Sequence, residues 1–140
     1  MLIKQLSVFV ENKKGRLSAI TDVLRDKNID IRALSLADTR DFGILRLIVD
    51  QPETAYEELK SSDCLVSLNT VIAVSIKDKP GGLAAAMDIL AANNISVEYM
   101  YAFISKSDDE AVVIIRVADN DKAVEVLAPK FKLMSYDEIF

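Results

Sequence analysis

The sequence has no histidine and only one cysteine in 140 residues. The missing histidine removes the commonest general base and the commonest transition-metal ligand together. Cys64 alone leaves too few donors for a zinc, copper or iron site, and no cofactor is expected. A lone cysteine closes no intramolecular disulfide, which fits a reducing cytoplasm. Basic residues are also in short supply: 17 Lys and Arg stand against 22 Asp and Glu, a formal net charge of −5. Proteins that bind a phosphate backbone draw their affinity from clustered Lys and Arg, so nucleic acid is not an expected partner. No apolar run approaches the roughly 20 residues that span a bilayer, so neither is a membrane. The opening stretch, MLIKQLSVFVENKKG, is too short and too alternating for a signal peptide and reads as a strand. Hydrophobic residues, in contrast, make up 51% of the chain, which excludes disorder.

Duplication is the main signal in what remains. Residues 6–31 read LSVFVENKKGRLSAITDVLRDKNIDI and residues 72–97 read IAVSIKDKPGGLAAAMDILAANNISV, with nine of 26 positions identical in an ungapped comparison. Chance gives roughly one or two at ordinary residue frequencies. Gly15 matches Gly81, Leu17 matches Leu83, Leu24 matches Leu90, and Asn28-Ile29 matches Asn94-Ile95. The repeat divides the chain into two domains, 1–68 and 69–140. Each lies near the lower size limit for independent folding, so each is expected to rely on the other half or on a second chain.

Hydrophobic period assigns the elements. Residues 2–10 alternate as a strand, with Leu2, Leu6, Val8 and Val10 on one face. From Arg16 to Lys27 the spacing turns helical, with Leu17, Ile20, Val23 and Leu24 in one stripe. Asn28 is a helix stop. A strand over Ile29–Ala37, a turn over Asp38–Phe42 and an apolar strand over Gly43–Asp50 follow. The apolar face changes sides between Ile31 and Leu34, which marks either a bulge near Arg32 or an edge strand buried on both sides. Pro52 opens a second helix to about Ser61, and Asp50 and Asp119 look like helix caps. Cys64–Leu68 is a short last strand that runs straight into the next unit's first. The second unit repeats the order: strand Thr70–Lys77, helix Gly82–Ala92, strand Ile95–Ser105, turn Lys106–Asp109, strand Glu110–Ala118, helix Asp119–Ala128 and strand Phe131–Ser135. Both units therefore read βαββαβ. A right-handed strand–helix–strand crossover, used twice and joined by a hairpin, gives an antiparallel four-stranded sheet with both helices on one face. The predicted fold is α+β: two ferredoxin-like modules in tandem.

The duplicated turns, ENKKGRL (11–17) and KDKPGGL (77–83), carry the candidate chemistry. A helix N-terminus offers unpaired N–H groups and partial positive charge, suited to a carboxylate. Glycine admits close approach and φ > 0. Asn12 can accept from an ammonium or donate to a carboxylate, and an ionised Asp78 can only accept. An α-amino acid carries both groups. An ordinary strand-to-helix turn needs glycine as well. The turns, the βαββαβ frame and the Asn-Ile pairs at 28–29 and 94–95 resemble the ACT domain, a small-molecule sensing module of amino-acid metabolism, over nearly the whole chain. Asp78-Lys79-Pro80-Gly81 fits the family's turn; Asn12-Lys13-Lys14-Gly15 departs from it with Lys14 in place of proline.

The resemblance implies a non-catalytic regulatory protein that binds a free amino acid. It assigns ligand contacts to Asn12, Lys13, Gly15, Arg16 and Leu17, and to Asp78, Lys79, Pro80, Gly81, Gly82 and Leu83. It also implies a homodimer and a partner enzyme of amino-acid metabolism, regulated in trans. The second turn is expected to be the better ligand site, because Gly81-Gly82 opens more room than Gly15-Arg16. Tyr99 and Tyr101, with Phe103 on the same face, would line a ligand side chain or else form sheet core. Two other functions stay open from sequence: an oligomerisation module without a ligand, and a small carboxylate-dependent enzyme.

Overall fold

The computed structural model describes residues 2–38, 41–104 and 109–140. The chain runs β1 (Leu2–Glu11), α1 (Arg16–Asp26), β2 (Ile31–Asp38), β3 (Phe42–Val49), α2 (Pro52–Ser61), β4 (Leu65–Lys77), α3 (Gly82–Ala92), β5 (Val97–Ile104), β6 (Glu110–Val117), α4 (Asn120–Leu127), β7 (Lys132–Leu133) and α5 (Tyr136–Ile139). The tips of both expected hairpin turns, 39–40 and 105–108, lie outside the described residues. The chain forms two units, Lys4–Asn69 and Thr70–Phe140 with Met1–Ile3.

In the first unit β3 pairs antiparallel with β1 on one side and β2 on the other. Strand alternation sends Leu6, Val8 and Val10 of β1 and Leu45, Leu47 and Val49 of β3 to one face. There they meet Ile20 and Leu24 of α1 and Ala55 and Leu59 of α2 in one buried cluster. Both helices therefore cover the same face. The second unit repeats the plan, with strand order β5-β6-β4-β7. Ile72, Val74, Ile76, Val113, Ile115 and Val117 form its floor, under Ala86 and Leu90 of α3 and Ala123 and Leu127 of α4.

The matched Asn-Ile pairs are helix terminators. Asn28 and Asn94 adopt φ of 55° and 56°, a left-handed conformation that asparagine tolerates. The Asn28 N–H donates to the Arg25 carbonyl at 2.9 Å and the Ile29 N–H to the Leu24 carbonyl at 3.0 Å. Asn94 and Ile95 repeat the pattern with Ala91 and Leu90. This is the Schellman stop, and its apolar contact is supplied by Ile29, which shares the buried cluster with Leu24. Asp63 (φ 61°) and Cys64 end α2 in the same way, with the Cys64 N–H on the Leu59 carbonyl at 3.0 Å. The side switch in β2 is a bulge: the register shifts between Ile31 and Ala33, and again at the matching place between Val97 and Tyr99.

The last strand of the first half runs, as expected, straight into the first of the second, as the single strand β4. Several other expectations need correction. Asp50 does not cap α2. Its carboxylate accepts the Asp30 N–H at 2.9 Å, and the N-cap is Gln51, with no side-chain bond. Asp119 does cap α4, accepting the Lys122 N–H at 3.1 Å. The strand expected over Phe131–Ser135 shrinks to Lys132–Leu133. A short helix, α5, follows it, closed by a capping box between Ser135 and Glu138. That Ser-x-x-Glu signal was in the sequence.

Candidate functional site

Both glycine turns take the same shape. Gly15 stands at the N-cap of α1 with φ 85°, ψ −4°, and Gly81 at the N-cap of α3 with φ 87°, ψ −10°. No side chain caps either helix, so the amides of Leu17 and Ser18, and of Leu83 and Ala84, have no intrahelical acceptor. Each turn is tied back to its hairpin. The Asn12 N–H donates to the Asp41 carbonyl at 3.0 Å, and the Asp78 N–H to the Asp109 carbonyl at 2.9 Å. The side chains of Asn12, Lys13, Asp78, Lys79 and Pro80 are exposed beside them. Leu17 lies outside the core at 41% exposure, whereas its counterpart Leu83 packs against the second cluster.

The two turns differ in the direction opposite to expectation. Gly82 is buried, and a Cβ built on it would stand 2.0 Å from the Lys77 carbonyl oxygen. The second glycine therefore lets the chain close in on itself and opens no room. At the matching position the first turn carries Arg16, and beside it lies a cavity of about 110 Å³. It is lined by Phe9, Val10, Ile20 and Val23, by Glu11 and Arg16, and by residues 62–65. Lys13 lies 2.9 Å from Glu11, and Arg16 3.8 Å from it. The hydrogen bond from Lys13, its charge and then that of Arg16 hold the Glu11 carboxyl below the ordinary carboxylate range. Cys64, half-buried on the cavity wall, has its thiol pushed up by burial, against a smaller downward pull from Arg16.

Tyr99 and Tyr101 do not join the Gly81 turn within the unit. Tyr99 pairs with Arg116 and Tyr101 with Ile114. Residues directly opposed across a ladder share a face. Ile114 and Arg116 alternate with the core residues Val113, Ile115 and Val117, so both tyrosines lie on the face away from the helices. The turn instead follows Lys77, which pairs with Glu110 at the end of the ladder. From Glu110 to Arg116 is six residues, roughly 20 Å of strand.

Sequence reading missed Ser62, Asp63 and Cys64 as neighbours of the first turn. They come from a loop some fifty positions away, and no local pattern records that meeting.

A family model described as an ACT domain pair matches residues 1–138. A protein from Bacteroides thetaiotaomicron of known structure is 41% identical, with a TM-score of 0.92, over 99% of this chain and 96% of that one. The ligand-free regulatory subunit of aspartate kinase from Thermus thermophilus is 17% identical, with a TM-score of 0.67, over 91% of this chain and 93% of its own. The corresponding subunit from Thermus flavus is 15% identical, with a TM-score of 0.60, over 92% and 93%. At these last two identities the likeness is one of fold. No curated protein matches the chain.

Proposed function

The chain belongs to the ACT domain pair family, and we propose that it is a non-catalytic sensor of a free amino acid. Residues 1–68 and 69–140 are its two domains. The ligand binds at the strand–helix glycine turns and regulates amino-acid metabolism through a partner enzyme or a change of assembly, with a homodimer as the working unit, in the cytoplasm. The observation that carries this reading is the duplicated turn: twice, a left-handed glycine starts a helix that no side chain caps. Such an end suits a carboxylate. Asn12 and Asp78, exposed at the same turns, supply acceptors for an ammonium. A regulatory role also accords with the aspartate kinase regulatory subunits that share the fold.

Regulation by such a ligand follows from linkage: it can shift packing or assembly only by binding one state more tightly than another. Size-exclusion chromatography with and without each of the twenty amino acids tests this. A change of elution volume with one ligand is the expected result. An elution volume unmoved by any of them at millimolar levels removes the assembly mechanism and leaves only action through a partner.

A further inference from the structure

We propose that the cavity beside Arg16 is a second kind of binding site, for a short aliphatic monocarboxylate, formed within the first unit and apart from the turn amides. Its size limits the ligand. At about 110 Å³ it lies well below the roughly 300 Å³ where drug-sized pockets begin, so it takes a short branched chain and not a bulky one. Its walls set the chemistry of the body: Val10, Ile20 and Val23 present carbon, which favours an aliphatic chain over a polar one.

Its polar groups set the head. Glu11 is already engaged by Lys13 at 2.9 Å, and the Arg16 guanidinium reaches Glu11 only at 3.8 Å. Arg16 thus keeps N–H donors for a carboxylate, which it can hold through two parallel bonds. Glu11 and Asp63 on the same cavity disfavour a second negative charge, so a monocarboxylate fits and a dicarboxylate does not. At the matching position the second unit has Gly82, packed against the Lys77 carbonyl, in place of Arg16.

One ligand chemistry here has two sources, a free short-chain acid or an aliphatic α-amino acid whose carboxylate and side chain enter the same way. Isovalerate and valine are the probes that separate them. Cys64 lies on the cavity wall and is the only thiol in the chain, so its alkylation by iodoacetamide, followed by intact mass, reports occupancy directly. A probe at ten times its dissociation constant should slow alkylation about tenfold. Protection by isovalerate supports the site with a free acid as sufficient ligand. Protection by valine alone supports it with an amino acid as the source. Arg16→Gln, a change at an exposed side chain, should abolish protection. Asn12→Ala, at the turn but outside the cavity, should leave protection intact even if it abolishes turn binding. Alkylation unmoved by either probe, or protected equally in Arg16→Gln, would overturn the proposal.

Discussion

The Lys77 carbonyl oxygen occupies the space that a side chain on Gly82 would need, at 2.0 Å from an ideal Cβ. The obstacle is backbone, so it cannot swing aside as a flexible side chain would. Gly82→Ala should therefore destabilise the protein by about 3 kcal/mol, toward the upper end of overpacking costs. Arg16→Gly, the reciprocal change in the first turn, should cost no more than about 1 kcal/mol, the helix-propensity difference. Urea unfolding of the two variants checks both values; equal costs would contradict the asymmetry.

Asn28 and Asn94 hold their left-handed conformation as part of the helix stop, with hydrogen bonds to Arg25 and Ala91. Alanine at either place meets the steric penalty of that region and should lose about 1 kcal/mol. Glycine should be tolerated at both, since it adopts the conformation freely. Thermal melts of the four single variants separate the two cases. Alanine variants as stable as the glycine ones would show that these positions are not held left-handed in solution.

Glu138 closes the capping box of the last helix. Its carboxylate accepts the Ser135 N–H at 2.8 Å and faces Lys132 at 3.3 Å. The Ser135 bond first, and then Lys132, lower its pKa from the ordinary value of 4.5. A lowered folded-state pKa contributes stability that is present above 4.5 and lost as pH falls through the folded value. The group is exposed, so the effect is local. Hydrogen exchange at the Ser135 amide should quicken on acidification through that range once corrected for intrinsic rates, and Glu138→Ala, which removes the acceptor, should show the faster exchange already at neutral pH. Exchange insensitive to both changes would remove the box.

The architecture was readable because its signals are local. Leu6, Val8 and Val10 alternate, Ile20 and Leu24 recur at helical spacing, and glycine stands where φ must be positive. Each of these is decided within a few residues. The repeat places a domain boundary at 68–69, while the backbone continues through it as the one strand β4. The site was less legible. From sequence Gly82 reads as open space, because its constraint comes from a carbonyl five positions earlier, folded back over it. The cavity needs Arg16 and Cys64 together, and nothing near either residue announces the other. Strand alternation puts Tyr99 and Tyr101 on one face, but which face depends on the bulge at Glu98.

Amino-acid binding at the turns is the central claim, and a thermal-shift series against the twenty amino acids tests it most directly. The account predicts that at least one raises the melting temperature at millimolar concentration, in proportion to ln(1 + [L]/Kd). Asn12→Ala or Asp78→Ala should abolish the shift, according to which turn is occupied. A melting temperature unmoved by all twenty, or a shift that survives both substitutions together, would contradict it.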